Sequence, residues 1–261
     1  MDKTSVIGLV FGIVAIGVGM VLKGVAISSL FNPAALLIIF AGTAAAIMIA
    51  FPLNEVKKLP KLFKILFTEQ KMVSKAELVG IFIEWATIAR KEGLLALESK
   101  SDEIDDPFLK QGIKMIVDGQ SPEFIKDVLI KDLETMEDRH LSNAGIFSQA
   151  GTYAPTLGVL GAVVGLVAAL GHMDDIEALG HAISAAFIAT LFGIFTGYVL
   201  WHPFANKLKR KSQNEIMLKE IMIEGLLSIQ DGTSPKILEE KLLTYIPASE
   251  RERLKEGVSL D

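Results

Sequence analysis

The sequence has no cysteine among its 261 residues, four histidines, and only 7% aromatic residues. The missing cysteine excludes a disulfide framework, a cysteine-ligated zinc and thiol chemistry. Charge is not scarce, at 22% of residues, but it is absent from long blocks. Thr4–Leu22, Leu30–Phe51, Thr152–Gly171 and Ala182–Trp201 contain no Asp, Glu, Lys, Arg or His. Each block is close to the roughly 20 residues that a helix needs to cross about 30 Å of hydrocarbon. The pattern predicts an all-α, four-span transmembrane helical protein with a helical cytoplasmic domain. The first block follows Lys3, is long for the apolar core of a signal peptide, and is followed almost at once by a second. It therefore reads as a retained anchor.

The lack of charge within the spans restricts function. Proton or cation transport usually needs a titratable or coordinating group at depth, where such groups are costly and mark function. His140, His172, His181 and His202 all lie outside the blocks or at their edges. A metal set from His172, His181 and the acidic residues between them is one candidate, but no metal or other cofactor is expected. No nucleophile–base pair or catalytic carboxylate constellation stands out, so an enzyme is not expected either. If ions move through these spans, the carboxylate must come from another chain.

Lysine and arginine set the topology. Lys57, Lys58, Lys61 and Lys64 follow the second span, and Lys207, Lys209, Arg210 and Lys211 follow the fourth. The loop His172–His181 has no Lys or Arg and carries Asp174, Asp175 and Glu177. Both termini are thus expected in the cytoplasm, with Lys23 a minor exception. The organisation expected is spans one and two in 1–51, a cytoplasmic helical domain in 52–151, spans three and four in 152–204, and cytoplasmic C-terminal helices in 205–261.

Within the cytoplasmic part, "NEVKKLPKLFKILF" places Val56, Leu59, Phe63, Leu66 and Phe67 on one side and its lysines elsewhere. That is the pattern of a basic helix lying on membrane lipid, with Pro60 a candidate break. No nucleic-acid partner is expected from a lysine run beside a span. Ser74 and Glu77 form a capping box, after which Leu78, Ile81, Phe82, Trp85, Ile88 and Ala89 recur at helical spacing. Asp106-Pro107 starts another helix. "DGQSPEFIKDVL" (118–129) is echoed by "DGTSPKILEEKL" (231–242), where Gly ends one helix, Ser caps the next and Pro enters its first turn. From Pro122 to about Gly171 nothing breaks a helix strongly except Pro155. The third span thus reads as a continuation of a cytoplasmic helix bent at Pro155, and the fourth as running on past Trp201-His202-Pro203.

Small residues form two stripes: Gly158, Ala162, Gly165 and Ala169 on the third span, and Ala186, Thr190, Gly193 and Gly197 on the fourth. In lipid, close approach through small residues is a main source of helix association. Packing within one subunit and a seam against another chain both fit, and they are not exclusive. A lone threonine such as Thr190 commonly bonds its own helix backbone.

Four stretches carry a resemblance: "ARKEGLLALE" (89–98), "AGTYAPTLGVLGAVVGL" (150–166), "HAISAAFIATLFGIFTGYVLWHPFANKLKRKS" (181–212) and "EGLLSIQDGTSPKILEEKL" (224–242). With this order and spacing the chain resembles the MotA-type flagellar stator subunits, in the wider group with ExbB and TolQ, over essentially its whole length. "ARKEGLLALE" and the proline-flanked spans favour MotA over ExbB or TolQ, whose three-span plan differs.

The resemblance implies a homopentamer in the bacterial inner membrane around two copies of MotB, a single-span partner with an intramembrane Asp and a peptidoglycan-binding domain. It implies inward proton flow through that Asp and torque on the rotor switch protein FliG. By motif, Arg90 and Glu98 match the rotor-contact pair, Pro155 and Pro203 the coupling prolines, and Thr190 the threonine facing the partner's Asp. Gly158, Ala162, Gly165, Ala186 and Gly193 are the expected partner-facing neighbours of Thr190. Sodium-driven relatives resemble "GTLVGL" where this chain has "GAVVGL", so Ala162 replaces a hydroxyl ligand and favours proton use. Two alternatives stay open: an energiser subunit of outer-membrane transport, and a stand-alone channel, which the charge-free spans disfavour.

Overall fold

The computed structural model describes residues 2–25, 27–69, 73–102, 106–171, 173–248 and 251, and all regular structure among them is helical. In chain order the helices are α1 (Lys3–Leu22), α2 (Pro33–Ala50), α3 (Leu53–Val56), α4 (Leu59–Phe67), α5 (Lys75–Glu92) and α6 (Leu97–Asp102). They continue with α7 (Pro107–Val117), α8 (Pro122–Leu170), α9 (Ile176–Phe195), α10 (His202–Gln230) and α11 (Pro235–Leu243). Four stretches, Lys3–Leu22, Ile27–Ala50, Pro122–Leu170 and Ile176–Gln230, are long and apolar enough to cross a membrane. The chain forms two compact units, residues 1–70 with 140–210 and residues 71–139 with 211–261.

Local chemistry explains where the helices begin. Asn32 caps α2 by accepting the Ala35 N–H at 3.1 Å, with Pro33 in the first turn where its missing N–H does no harm. Ser74 accepts the Glu77 N–H at 3.1 Å to start α5. Asp106 accepts from Phe108 and Leu109 at 2.9 and 3.2 Å to start α7. α8 runs unbroken for 49 residues with Pro155 inside it, as the lack of other breakers predicts.

The first unit contains the charge-free spans. Its buried cluster draws Ile47 from α2, Leu62 and Leu66 from α4, Ala144, Phe147 and Ala150 from α8, and Ala205 and Leu208 from α10. Phe63, Phe147, Trp201 and Phe204 meet here at centroid distances of 5.2–6.4 Å, mostly edge to face. The basic segment differs from the sequence expectation in two ways. The break falls at Lys57–Lys58, and Pro60 lies harmlessly in the first turn of α4. Its apolar side is partly covered by protein: Leu66 is fully buried and neighbouring Leu62 is 5% exposed, Val56, Leu59, Phe63 and Phe67 are half-buried, and Lys57, Lys61 and Lys64 stay exposed. Phe147 of α8 and Phe204 and Leu208 of α10 belong to the cluster that buries Leu62 and Leu66.

The second unit is a water-soluble type of core. Leu78, Phe82, Trp85, Leu97, Ile113, Ile125, Leu129, Ile221, Leu226 and Leu238 are all nearly or fully buried in one cluster. Asp106 pairs with Lys219 at 2.7 Å, and the same ammonium lies 4.7 Å from the Phe108 ring centroid. Lys241 pairs with Glu224 across the α10–α11 turn. Desolvation, helped by Glu224 and Glu220 and opposed by Lys241, pushes the nearby Tyr245 phenol above its ordinary value.

Candidate functional site

In the membrane-type unit the two small-residue stripes meet. A Cβ added to Gly158 would lie 2.7 Å from the Gly193 Cα and 2.9 Å from the Ala189 carbonyl oxygen. One added to Gly193 would lie 2.8 Å from the Ala154 carbonyl oxygen. The backbones of α8 and α9 therefore touch here, which only two glycines permit. Two turns on, a Cβ on Gly165 would meet Ala186 Cβ at 3.4 Å. Gly158, Ala186 and Gly193 are thus buried in this internal crossing, whereas Ala162, Gly165 and Thr190 are half-buried beside it. The Thr190 hydroxyl donates to the Ala186 carbonyl at 3.3 Å, so it bonds its own helix and keeps acceptor lone pairs available. Exposed Val159, Val163, Val164 and Phe187 surround this part of the crossing.

The two prolines mark a second contact between the same segments. Pro155 lacks the N–H that would bond the Gly151 carbonyl. Gly197 packs over that break: a Cβ there would lie 2.6 Å from Pro155 Cγ and 2.8 Å from the Gly151 oxygen. Gly197 belongs to a six-residue π-helical stretch, Thr196–Trp201, closed by the His202 N–H on the Gly197 carbonyl. This widened turn lies directly ahead of Pro203, which has no N–H for an α-helical partner. A Cβ on Gly151 would lie 2.8 Å from the His202 ring, so the irregular parts of both segments are packed on each other.

In the other unit, Arg90 and Glu98 flank a compact reversal. Gly93, at φ +88, ends α5, and Leu94–Ala96 form one 3-10 turn before α6. Arg90 and Glu98 are both exposed, and Leu95 between them is 70% exposed, while Leu97 is fully buried. Lys100 ties α6 back to Glu84 of α5 at 3.4 Å. Among the described residues no group of three or more His, Cys, Asp or Glu gathers as a metal site, and His172 lies outside them.

Residues 100–221 match the model of the MotA/TolQ/ExbB proton channel family. The chain is 62% identical to Motility protein A of Bacillus subtilis, over 98% of this chain and 95% of that protein. The chain belongs to this family, among its MotA flagellar stator subunits. Its fold is similar to a solved structure of the flagellar MotAB stator complex from Bacillus subtilis, with a TM-score of 0.93 and 63% identity, covering 97% of this chain and 99% of that one. It is likewise similar to a structure of C. jejuni MotAB, with a TM-score of 0.90 and 34% identity, covering 95% and 97% of the two chains.

In this MotA-family chain the structure adds groups that sequence reasoning missed. Asp2 accepts from Lys207 Nζ at 3.0 Å and caps α1 through the Ser5 N–H at 3.4 Å. Its own N–H donates to the Phe67 carbonyl at 2.9 Å. The start of α1, the end of α4 and the basic run of α10 are thereby tied together. An Asp three residues before Ser5, at the head of the span, was the available signal, but its lysine partner is 205 positions away. At the other end of α2, Asn32 Nδ2 donates to the Ala185 carbonyl at 3.1 Å. Ser28, Ser29, Asn32, His181 and Ser184 line a cavity of about 310 Å³ there.

Proposed function

We propose that this multi-pass membrane subunit works with a MotB-type single-span partner as a stator, coupling inward proton flow to torque on the rotor. The observation that carries this reading is a charge-free crossing of α8 and α9 with the half-buried Thr190 at its edge. A carboxylate supplied by the partner to such a wall has its pKa raised by desolvation. It can take a proton from one side and release it to the other as packing changes. Its charged and neutral forms prefer different surroundings, so protonation biases the ring between two arrangements. In this reading Thr190 accepts a hydrogen bond from the protonated form; its hydroxyl donates to its own helix, which leaves lone pairs for that role. Ala162 offers no oxygen, which supports proton over sodium use.

In this reading Ala162, Gly165 and Thr190 meet the partner directly. Gly158, Ala186 and Gly193 fix the depth at which the two helices present them. Pro155 and Pro203 transmit movement, supported by the contact of Gly197 with the Pro155 break. The ring is a homopentamer in the bacterial inner membrane; the lysines after the second and fourth spans support placing both termini in the cytoplasm. Arg90 and Glu98 meet the rotor switch protein FliG. Exposed charge pairs are worth roughly 0–1 kcal/mol, which suits contacts that must form and release quickly.

The test is co-expression with a single-span partner whose intramembrane Asp is kept or changed to Asn. Motility with the Asp form and none with the Asn form is expected. Swimming cells with the Asn form would overturn the mechanism. Swimming speed that follows the sodium gradient rather than proton-motive force would overturn the choice of ion.

A further inference from the structure

The two echoed turns of the second unit are neighbours. Gly119 and Gly232 end α7 and α10 at φ +73 and +71, conformations that favour glycine. Each turn closes with the same pair of bonds: Gly119 N–H to Ile116 O and Gln120 N–H to Met115 O, then Gly232 N–H to Ile229 O and Thr233 N–H to Ser228 O. Gln230 Nε2 donates to the Gln120 carbonyl at 2.7 Å and ties one turn to the other. Ser121 then caps α8 through the Phe124 N–H at 3.2 Å, and Ser234 caps α11 through the Ile237 N–H at 3.4 Å. Phe124 and Ile237 occupy equivalent places in the echo, and both stand out from the surface, 49% and 58% exposed. Two linked turns that each leave a large apolar side chain in the open offer a pair of apolar side chains at one end of the unit.

The same turns lie at the Arg90 end of the unit. Lys75 of α5 touches Met217 of α10, and a Cβ on Gly225 would meet the Phe82 ring. Seven residues along α5 thus match eight along α10, so the two helices run parallel with equal rise per residue. Carrying that register forward puts Arg90 level with the Gly232 turn. Leu95, 70% exposed between Arg90 and Glu98, adds a third apolar side chain to this end.

We propose that Phe124 and Ile237 are paired apolar anchors by which this unit docks onto the rotor switch protein, with Arg90 and Glu98 as the charged part of the same face. The proposal rests on the rotor-facing reading of Arg90 and Glu98. Around the anchors the exposed Asp118, Glu123, Asp127 and Asp231 outnumber the exposed Lys126 and Lys236, so a second copy presenting these turns would set a mainly acidic rim against its like. The complementary surface is an apolar one with a basic rim.

The experiment places a photo-crosslinking amino acid at 90, 98, 124 or 237 of the full chain, assembled with its partner in swimming cells, and probes adducts with antibody to FliG. Adducts from 124 and 237 are expected. A Phe124→Ser, Ile237→Ser double variant is expected to cut rotor-dependent stator recruitment about tenfold, in keeping with loss of interface anchors. Its co-purification with the single-span partner should be unchanged, and Phe124→Leu with Ile237→Val should retain recruitment. Adducts from 90 and 98 but not from 124 and 237 would overturn this proposal and leave the rotor reading standing. No adduct from any of the four would bring down both. Adducts of 124 or 237 with a second copy of the chain would assign the face to subunit contact instead.

Discussion

Gly158 and Gly225 are both tight glycines on long helices, yet they are tight against different things. Gly158 meets backbone, the Gly193 Cα and the Ala189 carbonyl, in a crossing without bulky side chains. Gly225 meets the ring of Phe82, a fully buried side chain in a core of leucine, isoleucine and aromatics. The first unit, which carries the spans, cannot gain from hiding apolar surface from water, because lipid is as apolar as leucine; it gains from short distances between helices. The second gains by burying large side chains, at roughly 25 cal/mol per Å² of apolar surface. Its Gly225 is a notch for a ring, whereas Gly158 and Gly193 of the first unit are the contact itself.

That contrast can be broken most sharply at Gly158. Gly158→Val would push two methyl groups into backbone that has no rotamer to give, so assembly with the partner is expected to fall at least about tenfold and motility to vanish. Gly8→Val, on α1 with open space around it, is expected to assemble normally. Co-purification of tagged subunits measures both, and equal tolerance of the two would refute the backbone contact. Next in size, Gly225→Ala should destabilise the second unit by about 1–3 kcal/mol through overpacking, with partial rescue by Phe82→Leu. Thermal melts of the purified complex check this, and rescue by a side-chain change is the outcome Gly158 should not share. Asp106→Ala removes a cap and leaves Lys219, 12% exposed, without its carboxylate, for a loss of about 1–3 kcal/mol in the same melts. Last, Arg90→Glu on the exposed turn should shift stability by less than about 0.5 kcal/mol while lowering motility. A melt lowered as far as by Asp106→Ala would make Arg90 part of the core instead of the working face.

Much of this was legible in the residues. Ser74, Asp106 and Ser234 start helices as their side chains predict, and the echoed turns at Gly119 and Gly232 share one geometry. The stripes of small residues were visible too, but their division was not. Ala162 and Gly165 sit on the same stripe as Gly158 and differ from it in burial, because the α8 and α9 backbones touch at Gly158 and have eased to a looser contact, 3.4 Å to the Ala186 Cβ, by Gly165. The apolar side of α4 looked suited to lipid until Phe147, Phe204 and Leu208 turned out to cover it. Nothing in the local pattern of "NEVKKLPKLFKILF" could reveal partners 80 or more positions away.

By itself, the sequence determined two things about this protein. It set where helices start and stop, since caps, prolines and positive-φ glycines act within a turn of themselves. It also set that the spans carry no titrating group, since charge in a 20-residue block is simply there or not. The tertiary structure alone decided that Gly158 meets Gly193, that Gly197 covers the carbonyl freed by Pro155, and that Gln230 ties the Gly232 turn to the Gly119 turn. Those pairings join residues dozens to more than a hundred positions apart. A helical period states which residues share a face, but only packing states what that face meets.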